Sequence, residues 1–333
     1  LSINELSVLI GPQSSGKSTL SKLVYYFLNT RDDYVEQILD QIFNKQSERP
    51  VLELIKNTRR RFIEFFGPVS NSQDIYIRFN YSNDFWIEVK FDKREHKYID
   101  PYFSESLKTK ITGIIQTIRE THKSIPREAT LFDSARTDQN NRTRYEIAKY
   151  VRQEMDTVFG FSEELLFIPA GRSLLSTLSD QLQNIHPHLL DYPMRKFIEK
   201  VNSTKAFFNK SISEIIRERQ VLTSTEIWYG SVRKAENYIQ KILKGEFIYD
   251  SEGGKIYTSK YSYTKINYTS SGQQESIWIL LSLFLIVLDK VNAFVFIEEP
   301  EAHLFPNAQK EITDFVAFIK NSLKCKFFLT THS

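Results

Sequence analysis

The chain has 333 residues, 41% hydrophobic and 26% charged, with a formal net charge of +3: a globular composition, long enough for one large domain or two ordinary ones. Its 11 glycines and 10 prolines leave little room for long disordered linkers, and its single cysteine, Cys325, excludes an intrachain disulfide framework and fits a reducing cytoplasm. So mild a charge does not argue by itself for nucleic acid, no signal peptide is visible, and the most apolar stretch, residues 277–288, is too short for a membrane span and reads as a buried core helix.

In chain order, residues 5–10 read as a short apolar strand and 11–15 as a loop. Residues 17–28 read as a helix with Leu20, Leu23, Val24, Phe27 and Leu28 on one face. Residues 34–66 read as two helices split near Pro50. Residues 75–81 and 85–91 alternate apolar and polar around Ser82-Asn83-Asp84, a β-hairpin pattern. Helices are expected over 102–120 and 145–158, a short strand over 165–168 ending at Pro169, and a largely helical stretch over 174–219 broken near Pro187 and Pro193. A helix over 232–243 precedes a second hairpin around Gly253-Gly254. Then come a turn at 269–272, a long helix over 273–288, a buried strand over 293–297, a helix over 307–319 and a last strand over 326–329. Internal repeats and long heptad runs are absent. Residue 1 is leucine, and the sequence stops at Ser333 directly after an apolar run. It therefore reads as an internal piece of a longer product, or its ordered part.

The run Gly11-Pro12-Gln13-Ser14-Ser15-Gly16-Lys17-Ser18, with Thr19 next, matches G-x-x-x-x-G-K-[ST] between an expected strand and an expected helix. Its glycines let backbone N–H groups close around phosphate oxygens, and the helix N-terminus faces the same anion. Lys17 then reaches the β- and γ-phosphates and the Ser18 hydroxyl ligates Mg²⁺, so ATP and Mg²⁺ are the implied ligands. Residues 293–297 deliver two carboxylates, Glu298 and Glu299, at the C-terminal end of a buried strand, where open α/β sheets bind ligands. Acid pairs after strands are common. Coupled to the loop, they suit Mg²⁺ holding by Glu298 and activation of water by Glu299. Thr269-Ser270-Ser271-Gly272-Gln273 opens a long helix, either as an ordinary N-cap or as a second anion site. Leu329-Thr330-Thr331-His332-Ser333 places a histidine just past a strand end.

These blocks, in this order, resemble the ABC-class ATPases. Ser270, Gly272 and Gln273 match that family's Leu-Ser-Gly-Gly-Gln signature, while Thr269 and Ser271 depart from it. The resemblance implies that Ser270, Ser271, Gly272 and Gln273 cap the γ-phosphate held by a second copy, and that His332 is the switch histidine contacting γ-phosphate and attacking water. Glu298 stands where transporters of the class carry Asp. No clear glutamine loop is present; Gln153 and Gln181 are candidates by position. Glu299-Pro300-Glu301-Ala302-His303-Leu304 resembles OLD-like members of the class. Leu165–Ser173 (LLFIPAGRS) resembles ATPases of bacterial anti-phage systems, the Septu and retron-associated group above all.

The implied fold is α/β: an ABC-type P-loop NTPase lobe with β-hairpins and a helical insertion. Residues 1–100 form its N-terminal half, 101–245 the helix-rich insertion and 246–333 its C-terminal half. The implied assembly is a cytoplasmic homodimer, or a higher even-numbered one, controlling a nuclease or effector. That partner is HNH-type if the system is Septu-like, or includes a reverse transcriptase and its RNA–DNA product if retron-like. Nucleic acid is a further candidate partner: Arg59-Arg60-Arg61 forms a basic run, and Tyr257, Tyr261, Tyr263 and Tyr268 interleave with Lys255, Lys260 and Lys265. A solvated helix face and ordinary strand alternation explain the same residues. Other readings are the ATPase part of an OLD or Gabija nuclease with a TOPRIM domain elsewhere, and an ATP-locked scaffold with little turnover. An SMC-type clamp is disfavoured by the missing heptads. Arg172 could reach phosphate or sit at a core rim, and Glu301 with His303 suggests a metal pair or, preferably, an interface element.

Overall fold

A computed structural model describes residues 3–44, 47–68, 74–92, 99–121, 134–177, 189–222 and 226–332. In chain order the elements are β1 (Leu6–Ile10), α1 (Lys17–Phe43), α2 (Pro50–Phe66), β2 (Ile75–Asn80), β3 (Trp86–Phe91), β4 (Asp100–Phe103), α3 (Glu105–Thr121) and α4 (Ser134–Phe159). There follow β5 (Glu164–Ile168), α5 (Ser173–Thr177), α6 (Tyr192–Lys205), α7 (Ile212–Leu222) and α8 (Glu226–Leu243). The last are β6 (Glu246–Asp250), β7 (Gly253–Ser259), β8 (Ser262–Lys265), α9 (Ser271–Leu288), β9 (Ala293–Glu298), α10 (Pro306–Leu323) and β10 (Lys326–Thr331). The chain divides into two compact units, Leu1–Lys22 with Glu163–Ser333, and Leu23–Ser162.

The first unit is built on a parallel sheet of order β1-β10-β9-β5. Alternation explains the order. All six residues of β9 are buried, as a central strand covered on both faces requires, whereas β1 alternates exposed and half-buried and sits at an edge. The register pairs Ile10 with Thr331, Thr330 with Glu298 and Ile168 with Ile297. The segments after β1, β5, β9 and β10 therefore emerge at one edge of the sheet, where α/β folds bind ligands.

Helix α9 is apolar on every side, the pattern of a helix buried all round. It is long and apolar enough to cross a membrane, yet here it packs inside the unit, with Ile279, Leu280 and Phe284 in one cluster with Val232, Val295 and Phe315. Strands β6, β7 and β8 form an antiparallel sheet; the hairpin was expected, the third strand was not.

In the second unit, the later part of α1 buries Tyr26, Phe27 and Tyr34, and the Tyr26 ring packs edge-on against Phe62 and Phe65 of α2. The buried hydroxyls find partners: Tyr26 donates to the Thr58 carbonyl at 2.9 Å, and Tyr34 pairs with the Thr58 hydroxyl at 2.6 Å. Arg31, fully buried, binds Asp156 at 3.1 Å and the Phe161 carbonyl at 3.0 Å.

One expectation is corrected here. Residues 102–103 are not helical: β4 pairs with β3, Ile87 opposite Phe103 and Val89 opposite Pro101. Pro101 suits this edge strand, which has no further ladder on its far side among the described residues, and Ser104 begins the helix by accepting from Leu107 N at 3.3 Å. The compact units divide elsewhere than at 100/101 and 245/246. The first hairpin belongs with the helices of residues 23–162, as Phe79 stacks on Phe27 at 5.1 Å and Tyr81 donates to the Phe27 carbonyl at 2.7 Å. Helices α6 to α8 share the core of α9 and the parallel sheet. The expected break near Pro187 lies outside the described residues.

Candidate active site

Strand β1 ends at Ile10, and the loop Gly11–Gly16 turns back onto the N-terminus of α1. The turn needs left-handed backbone at Ser14 (φ 63°) and Gly16 (φ 85°). Glycine adopts that conformation without penalty; serine adopts it at a cost the surroundings must hold. Lys17 curls over the loop, its Nζ donating to the Gly11 carbonyl at 2.6 Å and the Pro12 carbonyl at 2.8 Å, and lying 3.4 Å from Ser15 Oγ. Gln13, Ser14, Ser15 and Thr19 are exposed and Ser18 half-buried. An ammonium held by two carbonyls in a loop of backbone donors can exchange them for phosphate oxygens, so the loop fits a nucleotide.

Glu298 closes β9 and is 3% exposed. Its Oε2 accepts from Ala170 N at 3.3 Å, while Oε1 is buried with no hydrogen-bond partner among the described residues. Burial pushes its carboxyl above the usual carboxylate range. The charge of Lys22, the Ala170 N–H and the Ser18 hydroxyl all oppose that shift, and Asp191 adds to it. Lys22 and Asp191 pair at 2.5 Å. A buried carboxylate oxygen lacking a partner, close to a hydroxyl, fits a divalent cation completed by phosphate oxygens and water. Among the described residues no three His, Cys, Asp or Glu side chains group as a cage, which such a cation does not need.

Glu299 follows with left-handed backbone, φ 46°, unusual for a long side chain. Its N–H donates to the Thr330 carbonyl at 2.9 Å. Its Oε1 lies 2.8 Å from His332 Nε2, and His332 Nδ1 lies 3.4 Å from Lys17 Nζ. Loop lysine, histidine and carboxylate thus form one polar chain. Glu301 supports it, accepting from His332 N at 2.9 Å and from the Thr331 hydroxyl. Its place beneath His332 accounts for Glu301 without a metal pair; His303 is exposed, at φ 59°.

Ser270 caps α9 in a full capping box, accepting from Gln273 N at 3.3 Å while Gln273 Oε1 accepts from Ser270 N at 3.3 Å. Gln273 Nε2 also donates to the Leu243 carbonyl at 2.7 Å. Gly272 lies against the loop after Glu299: a Cβ there would stand 2.8 Å from the His303 carbonyl oxygen. Ser270 and Ser271 are exposed. Among the described residues no hydrogen bond joins this turn to residues 11–18; polar contacts link Lys17, His332 and Glu299, and Ser18 with Glu298.

Sequence reasoning underweighted Arg172, which is fully buried. It donates to the carbonyls of Pro169 (2.6 Å), Glu298 (2.7 Å), Glu299 (2.9 Å) and Glu275 (3.0 Å). Burial pulls its pKa down, and the charges of Glu275 and the neighbouring glutamates oppose that. The missed partner is Glu275, whose carboxylate accepts from the backbone N–H of Arg172 and Ser173, each at 3.0 Å. The one signal for it was a lone acid inside an apolar helix.

Gln153 lies exposed on α4, in the other unit, and Gln181 and Ser333 lie outside the described residues. In the basic run, Arg59 pairs with Asp100 and Arg61 with Asp33 at 2.9 Å, while Arg60 projects outward. Tyr257 and Tyr263 form a cross-strand pair, centroids 5.2 Å apart; Tyr261 and Tyr268 are exposed.

The family model of the AAA ATPase domain (AAA_15) matches residues 1–333. No curated protein matches the chain. With phosphate loop, buried acidic strand end and an α/β parallel sheet in place, the match over the full length means that this chain belongs to the AAA ATPase domain family, whose members bind and hydrolyse ATP, typically with Mg²⁺.

Proposed function

We propose that this chain is an ABC-type ATPase core of a bacterial anti-phage defence complex, working as a head-to-tail pair with two nucleotide sites between the copies. The observation carrying the reading is the chain Lys17–His332–Glu299, with separations of 3.4 and 2.8 Å. Attack of water on a γ-phosphoryl group needs a base, a group orienting that base, and a cation on the phosphate, and these three residue types supply them. In this reading ATP lies along Gly11–Thr19 and Lys17 exchanges its carbonyl partners for β- and γ-phosphate oxygens. Ser18 and Glu298 would hold Mg²⁺, which would supply charge neutralisation for the phosphates. Glu299 takes the proton of the attacking water, and His332 orients the Glu299 carboxylate.

The exposed Ser270–Gln273 turn heads an 18-residue helix, whose N-terminus favours anions. It caps the γ-phosphate of a second copy. Closure on ATP and reopening on hydrolysis would then set the state of a nuclease or other effector, with HNH and reverse-transcriptase partners as the Septu-like and retron-like forms. The blocks LLFIPAGRS and EPEAHL support this narrower assignment by resemblance.

The test is phosphate release from Mg²⁺–ATP, per chain, across a range of chain concentration, with Glu299→Gln alongside. The rate per chain should rise with concentration, and the variant should lose about 10²-fold or more. A rate independent of concentration in a monomeric protein would sink the paired site, and an active Glu299→Gln would remove Glu299 as the base.

A further inference from the structure

Glu299 carries its carboxylate on a left-handed backbone, a conformation that persists only where surrounding contacts over-determine it. Two contacts do so. On one side the Glu299 N–H binds the Thr330 carbonyl at 2.9 Å, a strand neighbour. On the other, the Glu299 carbonyl accepts from Arg172 Nη2 at 2.9 Å. Arg172 also holds the Glu298 carbonyl at 2.7 Å, so one guanidinium fixes both peptide units that flank the Glu299 Cα.

The other edge of the same guanidinium faces α9. Arg172 Nε donates to the Glu275 carbonyl at 3.0 Å, and the Glu275 carboxylate returns to the backbone N–H of Arg172 and Ser173. Ser176 Oγ donates to the Gln274 carbonyl at 2.9 Å and accepts from Trp278 Nε1 at 3.0 Å. The first turn of α9 is therefore stapled to the segment 172–176, and through Arg172 to Glu299. Both charged members are buried, at 0% and 3% exposure. A buried ion pair is a weak source of net stability against apolar replacements, so stability alone is a poor account of so complete a network. A planar fork with fixed donor directions is suited to holding several carbonyls in register.

We propose that Arg172, together with Glu275, is a positioning residue of the hydrolytic site, holding the Glu299 backbone in register with the first turn of α9. The inference rests on the ATPase reading above. Because Ser270–Gln273 is the N-cap and opening of that turn, a phosphate seated on it acts on a segment rigidly tied to Glu299 of the same chain, and in a head-to-tail pair this links the two sites.

The experiment compares full-length wild type, Arg172→Lys and Glu275→Gln by steady-state hydrolysis of Mg²⁺–ATP, thermal melting, and the rise in Tm caused by ATP. Lysine keeps a cation for Glu275 but loses the fork; glutamine keeps the shape but loses the charge. If Arg172→Lys does not fold, Glu275→Gln decides. The expected result is a retained ATP-induced rise in Tm, KM within about threefold, and kcat lower by about tenfold or more. A folded variant with wild-type kcat overturns the proposal. So does one in which ATP binding and kcat fall together, the mark of a merely structural role. An inactive wild type overturns the ATPase reading and this inference with it, whereas an active wild type with active variants overturns this inference alone.

Discussion

His332 Nε2 lies 2.8 Å from Glu299 Oε1, although 33 residues separate them in sequence. The parallel register makes the contact: Thr330 stands opposite Glu298, so the residues just past each strand end meet above the sheet edge. Glu301 then fixes the His332 backbone from below through the His332 N–H, and the histidine ring spans the gap to Lys17. One side chain thus touches both the group that would bind γ-phosphate and the group that would activate water.

Substituting His332→Ala should lower kcat by about 10²-fold, the scale of losing one preorganised polar contact at a reacting centre. It should leave ATP affinity nearly unchanged, since the substitution leaves Lys17 and the phosphate loop intact to take the phosphates. Single-turnover hydrolysis with a parallel binding titration separates the two effects. A loss of binding equal to the loss of rate would instead make His332 a ground-state phosphate ligand.

The antiparallel sheet offers a prediction on pH. Lys255, buried at 5% exposure, pairs with Asp250 at 2.7 Å and Glu252 at 2.9 Å; the Tyr263 ring lies 4.7 Å from its ammonium and Lys265 4.0 Å from Glu252. The hydrogen bond from Lys255 holds the Asp250 carboxyl below its usual range and does the same for Glu252. For a carboxylate depressed in the native state, the unfolded chain binds more protons as pH falls. The stabilisation is therefore present above the unfolded carboxylate pKa, about 4, and is lost as pH drops through the native value. Wild type should lose more Tm than Lys255→Met between about pH 7 and pH 3.5. Equal losses would show that the pair contributes nothing in water, as exposed pairs often do.

The legibility of the chain varied with how local its signals are. The phosphate loop and the strand ending in Glu298 and Glu299 are short-range patterns, readable because loop, helix dipole and buried strand each demand particular residue types at fixed offsets. Helix α9 announced itself by apolar length, and Ser270 by its capping position. Strand β4 did not: four residues containing a proline have no periodicity to read, and only pairing with β3 defines them. Arg172 was visible as one arginine in an apolar block, but its role depends on Glu275, about 100 residues away, and no local pattern encodes that distance. The compact units were equally opaque, because they follow from which helices share a core rather than from composition.

Gly272 gives the sharpest test of the signature-like turn, because two explanations for its small size make different predictions. If the glycine is there for close approach of phosphate, replacing it harms nucleotide-dependent steps alone. The structure adds a second reason: an alanine Cβ would lie 2.8 Å from the His303 carbonyl oxygen and 3.2 Å from Leu304 Cδ2, so the loop after Glu299 must move to admit it. A backbone carbonyl does not yield as a flexible side chain does. Overpacking of this kind costs about 1–3 kcal/mol. Gly272→Ala should therefore lower Tm by about 2–4 °C for each kcal/mol even without nucleotide. Ser271→Ala, one position earlier on an exposed side chain, should leave Tm within error of wild type. The displaced loop carries Glu301 and so the support of His332, which means hydrolysis should also fall in Gly272→Ala. A nucleotide-free Tm unchanged by Gly272→Ala, with hydrolysis lost, would assign the glycine to phosphate approach and remove the packing argument. A lowered Tm with hydrolysis intact would show that the turn is a helix cap alone and that the rate does not pass through it.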